Sequence, residues 1–257
     1  MTIYDYKFGS AVVGNALYLK YSNSFPGYGI HKLDPNLIMA IDKELKKKVM
    51  EDWQNAFPQL SLYVQDKLYK VVGSIVIGLE LIKLPRTEEY RPHFVMYPLW
   101  KQNVKTSLDI PIILKEYYNK KGLQYSIPYE KHSVFFDDVL DSIKKQSPLP
   151  FDGNISLKKI IAVLDEYSKT PSLSAAPNSY LQAVLQEAKL KIALSISDVE
   201  AQSVLEQINK KSWDVNHFKA CGVDVDEWLQ NLKETIANRD EFLKQIDANK
   251  QDKKYQS

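Results

Sequence analysis

The chain has 257 residues, 44% of them hydrophobic, which is material for one large core or two modest ones and argues against disorder of the whole. Its 34 basic and 32 acidic side chains leave a formal charge of +2, and the only arginines are Arg86, Arg91 and Arg239, so neither long-range attraction to a polyanion nor the planar forks that read guanine edges are supplied. One cysteine, Cys221, excludes an intramolecular disulfide and any multi-cysteine metal cluster.

A lone thiol suits a reducing compartment. The start, MTIYDYKFGSAVVGNALYLKYSNSF, lacks the basic and then continuously apolar regions of a cleaved signal, and no apolar run reaches the length of a membrane span. A cytoplasmic location is expected, with no membrane and no specific nucleic acid among the partners.

The first thirty residues mix aromatic and β-prone residues with Gly9, Gly14, Pro26, Gly27 and Gly29, which predicts one or two short strands and a turn-rich loop. Asp34 and Pro35 then open a helix running to Phe57, with Leu37, Ile38, Ile41, Leu45, Val49 and Trp53 at helical spacing. Lys43, Lys46, Lys47 and Lys48 form its solvated side. Two strands follow, joined by a turn at Gln65 to Lys67. In the second, the run from Val71 to Ile82 is so continuously apolar that it predicts one central strand covered on much of both faces, with Gly73 and Gly78 marking a bulge or a close backbone approach. Pro85 ends that run, and extended structure resumes in HFVMYPLW, so that TEEYRPH reads as a compact polar connection.

Next, IPIILKEYYNKKG reads as a short helix or as a final strand and turn. Ser133 is placed to cap an amphipathic helix, and Ser156 begins another helix. Small residues and two prolines crowd Thr170 to Ser179, the best internal boundary, and everything beyond it has helical spacing. Ser197 with Glu200, and Asp224 with Glu227, are capping-box patterns; the second opens a helix striped by Trp228, Leu232, Ile236, Phe242 and Ile246. The expected architecture is α+β, a mixed or antiparallel sheet packed with helices and followed by a helical C-terminal part. Its divisions are residues 1–169, a linker at 170–179, a helical subdomain at 180–248 and a flexible tail at 249–257.

The local signatures for dinucleotides, nucleoside triphosphates, zinc hydrolysis, serine hydrolysis and thiol redox work are missing. His31, His93, His132 and His217 are too far apart in sequence to form a local metal pair, so no metal, no cofactor and no catalytic residue is assigned. His93 stands beside Glu88, Glu89 and Arg91, a base, carboxylates and an anion clamp in one short connection, although a polar loop whose charges pair with one another explains them equally. A nuclease-like set of Asp66, Glu80 and Lys83 fails on geometry, because a spacing of three turns Glu80 and Lys83 to opposite faces of a strand. Cys221 with His217 lacks a third, orienting group.

The expected function is therefore binding: a protein-protein interaction module, an inhibitor, adaptor or immunity-type protein, with a protein partner of unknown identity. Its surface is expected at Glu88, Glu89, Tyr90, Arg91, His93, Tyr97 and Trp100. A metal-dependent or histidine-assisted hydrolase or nuclease is the alternative, a structural subunit of a larger assembly the third reading, and self-association is left open.

Overall fold

The structure is a computed structural model and describes residues 43–252. The expected N-terminal strands, their loop and the first residues of the predicted helix lie outside the described residues. The helix itself is present as α1 (Lys43–Ala56), which buries Val49, Met50 and Trp53 and ends before Pro58.

The apolar run after Lys67 is a hairpin rather than one strand. The chain extends through β1 (Ser61–Val64) and β2 (Lys67–Val72), reverses at Gly73 and Ser74, and returns as β3 (Ile75–Lys83), with Val72 opposite Ile75. Gly73 sits at φ +59°, in the left-handed region where a β-carbon is strained, and that carbon would also lie 2.7 Å from Leu157 Cδ2. Only Gly73 and Ser74 mark the reversal, and the residues on either side of them continue as apolar runs. The next connection is shorter than expected: Leu84 N–H donates to Glu89 O at 3.0 Å, and β4 (Glu89–Pro98) takes in most of TEEYRPH.

Beyond β4 come α2 (Val104–Ser107), β5 (Ile113–Glu116), β6 (Ile127–Pro128), α3 (His132–Gln146), α4 (Leu157–Tyr167), α5 (Pro171–Ser174), α6 (Tyr180–Ile196), α7 (Asp198–Asn209), α8 (Val215–Ala220), α9 (Val225–Ala237) and α10 (Arg239–Lys250). The strands form one antiparallel sheet in the order β1-β2-β3-β4-β5, with β6 also paired to β4. The fold is α+β with a helical C-terminal part.

Strand alternation divides the sheet's side chains between two faces. Ile75, Ile77, Leu79, Phe94, Met96 and Ile113 point to one face, where Trp53 of α1, Val139 and Ile143 of α3, and Ile160 and Leu164 of α4 complete the main core. Tyr69, Val76, Val95, Tyr97 and Leu114 point to the other, where Phe242, Leu243 and Ile246 of α10 cover them. Covering of both faces is why most of β3 and the second half of β4 read as apolar runs.

The helix α6 joins the two halves of the chain. Leu185, Ala188 and Ile192 belong to the sheet's core, while Ala183, Leu190, Ala193 and Leu194 pack with Phe218, Trp228 and Leu232 in a second cluster. Within the expected linker, α5 carries Leu173, buried in the sheet's core, and Gln182 Nε2 donates to Leu173 O at 3.1 Å and to Ser168 O at 2.8 Å.

Ser197 and Asp224 cap their helices as their patterns predict, accepting from Glu200 N–H and Glu227 N–H. Ser133 does not cap: α3 begins at His132, and its N-terminus carries no side-chain cap. The single long helix expected from Asp224 is broken at Asn238, which turns the Trp228 stripe toward the helices and the Phe242 stripe toward the sheet. Arg239, just past the break, donates from Nε to Leu194 O at 2.9 Å and so caps the C-terminal end of α6. The start of the expected flexible tail is helix: Asn249 is buried and its Nδ2 donates to Leu99 O and Lys101 O, each at 2.8 Å. Among the described residues no helix is long and apolar enough to cross a membrane.

Candidate functional site

The seven hairpin residues expected to share one surface are separated by strand alternation. Tyr90 points into the main core and is 0% exposed, whereas His93 and Tyr97, at 5% and 4%, lie on the opposite face of the sheet. Arg91 donates to Gln124 Oε1, Glu89 accepts from Ser126 Oγ at 2.6 Å, Glu88 pairs with Lys83 at 3.2 Å, and Trp100 packs on Phe242. Each is engaged by its own neighbours.

Two buried polar networks result. On the core face, Tyr90 Oη accepts from Trp53 Nε1–H at 3.2 Å and lies 2.7 Å from His132 Nδ1. With the hydroxyl donating to Nδ1, the second ring nitrogen carries the proton toward Asp52 Oδ2, 3.3 Å away. Burial pushes the Tyr90 hydroxyl far above its ordinary range, which keeps it protonated, and its contacts with Trp53 and His132 tie α1 and α3 to β4. On the other face, Glu80 Oε1 accepts from the hydroxyls of Tyr69 and of Tyr97, the latter at 2.8 Å, and from Lys67 Nζ at 3.2 Å. His93 stands opposite Glu80 across the strands, with Nδ1 3.1 Å from Arg91 O. Burial raises the carboxyl of Asp66, and Glu80 adds to that, but Lys83 leaves the pair for Glu88. Cys221 Sγ is 3.9 Å from His217 Nδ1, a nitrogen that already accepts from Tyr180 N–H, and burial raises the thiol, the opposite of what activates a nucleophile.

Burial lowers the pKa of both His93 and His132, in the second case against the pull of Asp52. A histidine held below its ordinary value stays neutral in the fold while the unfolded chain takes up a proton, so its contribution is present above about pH 6.5 and is lost as pH falls through that value. Urea unfolding at pH 7 and at pH 5.5 is expected to show lower stability at the acid end, at up to about 1.4 kcal/mol per pH unit for each histidine, and the His93→Gln variant a shallower slope. Raised Asp66 acts in the opposite sense at lower pH. Stability that is flat or rising over this window contradicts the assignment.

A large apolar concavity lies elsewhere, along β5. It has a volume of about 570 Å³ and is lined by Ile113, Leu114, Lys115 and Glu116, by Tyr118 and Pro148, and by Lys159, Ala162, Val163, Glu166 and Tyr167 of α4, with Thr170 and Ser172 beyond. Consecutive strand residues point to opposite faces, so a cavity touched by all four β5 residues runs along the backbone edge. The α4 residues recur at helical spacing and present one face of that helix as a second wall.

Among the described residues no strand pairs with the outer edge of β5, and the groups this leaves open can be identified. Leu99 N–H donates to Ser74 O at 2.9 Å and Leu84 N–H to Glu89 O at 3.0 Å; with Pro98 opposite Ile75, these fix Glu89, Arg91, His93, Val95 and Tyr97 as the β4 residues whose backbone faces β3. Phe94 and Met96 then face β5, opposite Lys115 and Ile113, which leaves the N–H and C=O of Leu114 and Glu116 pointing outward. Tyr118 is next in this alternation, and its N–H donates to Gln146 Oε1 at 3.0 Å while its carbonyl accepts from Gln146 Nε2 at 2.6 Å. A side-chain amide thus imitates the next rung of a ladder. Pro92 fits the same scheme: its missing N–H falls where β5 has ended at Glu116 and β6 has not begun at Ile127.

Three of the four charged lining residues are engaged by neighbours, and the fourth, Lys159, is exposed. Lys115 Nζ donates to Gln146 O, Glu116 Oε2 accepts from Tyr118 Oη at 2.6 Å, and Glu166 pairs with Lys169 at 2.6 Å. Among the described residues no group of three or more histidine, cysteine or carboxylate side chains is arranged to hold a metal ion. Sequence reasoning missed this site because IPIILKEYYNKKG is compatible with a helix as well as a strand; the signal that favours an edge strand is the charged pair Lys115 and Glu116 at its end. Comparison of the chain with protein families, with curated proteins and with solved structures found no match in any of the three.

Proposed function

We propose that this chain is a protein-protein interaction module whose binding surface is the cleft between β5 and α4. The observation that carries this reading is the open edge of β5 beside an apolar helical wall. Backbone N–H and C=O groups require partners, and along a strand edge the partners that complete them without strain belong to another extended backbone. The apolar wall contributes the area, and the edge contributes the orientation. An inhibitor, adaptor or immunity-type protein would act in this way, by occupying or holding a segment of its partner. A cytoplasmic setting agrees with one half-buried cysteine whose thiol is raised by burial.

The test is capture of partners from the native cells by tagged protein, run in parallel with the Ala162→Trp variant. Ala162 is exposed and sits on the cleft face of α4, so a tryptophan there fills the cleft without entering the core. A stoichiometric protein partner that is held by the wild type and lost from Ala162→Trp supports the proposal. A partner held equally by both moves the surface away from the cleft, and recovery of no partner by either overturns the binding reading.

A further inference from the structure

The interaction reading leaves the chemistry of the occupant open, and the cleft defines it further. We infer that the occupant is an uncharged extended peptide segment that adds to β5 as a strand at Leu114 to Glu116 and inserts one apolar side chain against α4. The inference rests on the proposed binding role of the same cleft.

The backbone groups of Leu114 and Glu116, open among the described residues, are two residues apart on one edge, which is the repeat of an antiparallel ladder. A helix satisfies its own backbone and cannot match that repeat. The ends of the site are closed: Gln146 occupies both backbone groups of Tyr118, and Ile112 N–H turns inward to Met96 O at 2.6 Å. The ladder therefore has room for about three partner residues.

Side-chain direction follows from the pleat. Lys115 shares a face with Ile113, which belongs to the core that Ile160 and Leu164 of α4 complete. A partner residue level with Lys115 projects to that same face, toward Val163 and Tyr167, while its two neighbours project to the other. Lys115, Glu116 and Glu166 are each engaged by a neighbour and Lys159 is exposed, so a charge carried to the inner wall at Val163 and Tyr167 loses its water without a buried partner.

The probe is the acetylated and amidated peptide Thr-Thr-Ile-Thr-Thr, titrated into the full chain and followed by the amide signals of the protein in nuclear magnetic resonance. The expected result is slower hydrogen exchange, about tenfold, at the Leu114 and Glu116 amides, with shifts at Val163 and Tyr167 that vanish in Ala162→Trp. Methylating the amide nitrogens of the two threonines beside isoleucine, or replacing isoleucine by aspartate, is expected to weaken binding at least about tenfold. Equal binding of the N-methylated peptide in the cleft would overturn the added strand while leaving the binding role standing. Absence of any peptide-dependent change at Leu114 and Glu116 would overturn the inference as well, and the capture experiment with Ala162→Trp judges the binding role separately.

Discussion

A chain that stops after Lys169 is expected to lose cooperative unfolding. The expected boundary at Thr170 to Ser179 would permit such a fragment to fold alone, but the segments beyond it supply both sides of the sheet. Leu173, Leu185, Ala188 and Ile192 stand in the main core, and Phe242, Leu243 and Ile246 cover Tyr69, Val76, Val95 and Tyr97 on the opposite face. Each large apolar side chain so buried contributes roughly 1.5–3 kcal/mol. Losing several of them, and exposing the residues they cover, removes as much as the roughly 5–15 kcal/mol by which a domain is stable. Urea titration of the fragment, followed by circular dichroism and by tryptophan fluorescence, is expected to give broad, non-coincident changes or aggregation. A single sharp transition shared by both signals would show that residues up to Lys169 stand alone.

Gly78→Ala is expected to be the most damaging single-methyl change in the sheet. A β-carbon at Gly78 would lie 2.1 Å from Leu68 O and 2.4 Å from Tyr69 Cδ1, and the first of these is backbone of the neighbouring strand, which cannot swing away. Either β2 and β3 separate, breaking the ladder around the Tyr69 to Gly78 pair, or β3 shifts against the buried Glu80 network. The expected cost is about 3 kcal/mol or more, at the upper end of what overpacking a core produces. Gly153→Ala is the useful contrast: nothing lies within 4 Å of its β-carbon, so only the backbone strain of its φ of +68° is felt, at about 1 kcal/mol. Urea midpoints of the two variants check the order. A Gly78→Ala protein within about 0.5 kcal/mol of the wild type would mean that the sheet can relax there.

What could be read from the sequence was local. The caps at Ser197 and Asp224 are decided by a side chain and the amides a turn away, and both bonds are present. Gly78 could be read as a close backbone approach because a lone glycine in a buried strand has few other uses. The turn at Gly73 was hidden, since apolar residues continue on both sides of it and only Gly73 and Ser74 interrupt them. The break at Asn238 was hidden for a related reason: an apolar stripe continues across it, and only the tertiary fold shows that its two parts face different clusters.

The hairpin site was legible as chemistry but not as geometry. Charged and aromatic residues in TEEYRPH resemble a loop, and Pro92 strengthens that impression. The proline is accepted inside a strand because of where β5 stops, a fact set by residues more than twenty positions away. Likewise His132 is an ordinary helical residue in sequence, and its buried pairing with Tyr90 spans 42 positions. The cleft was harder still, because an open strand edge is defined by what does not pair with it.

The central claim is that Leu114 and Glu116 offer unpaired backbone to a partner, and hydrogen exchange in the free protein, resolved residue by residue, tests it most directly. The account predicts that the Leu114 and Glu116 amides exchange at least about tenfold faster than those of Ile113 and Lys115, which face β4. Equal, slow exchange at all four would mean that the edge is already covered, and the cleft would no longer be the place where a partner adds a strand.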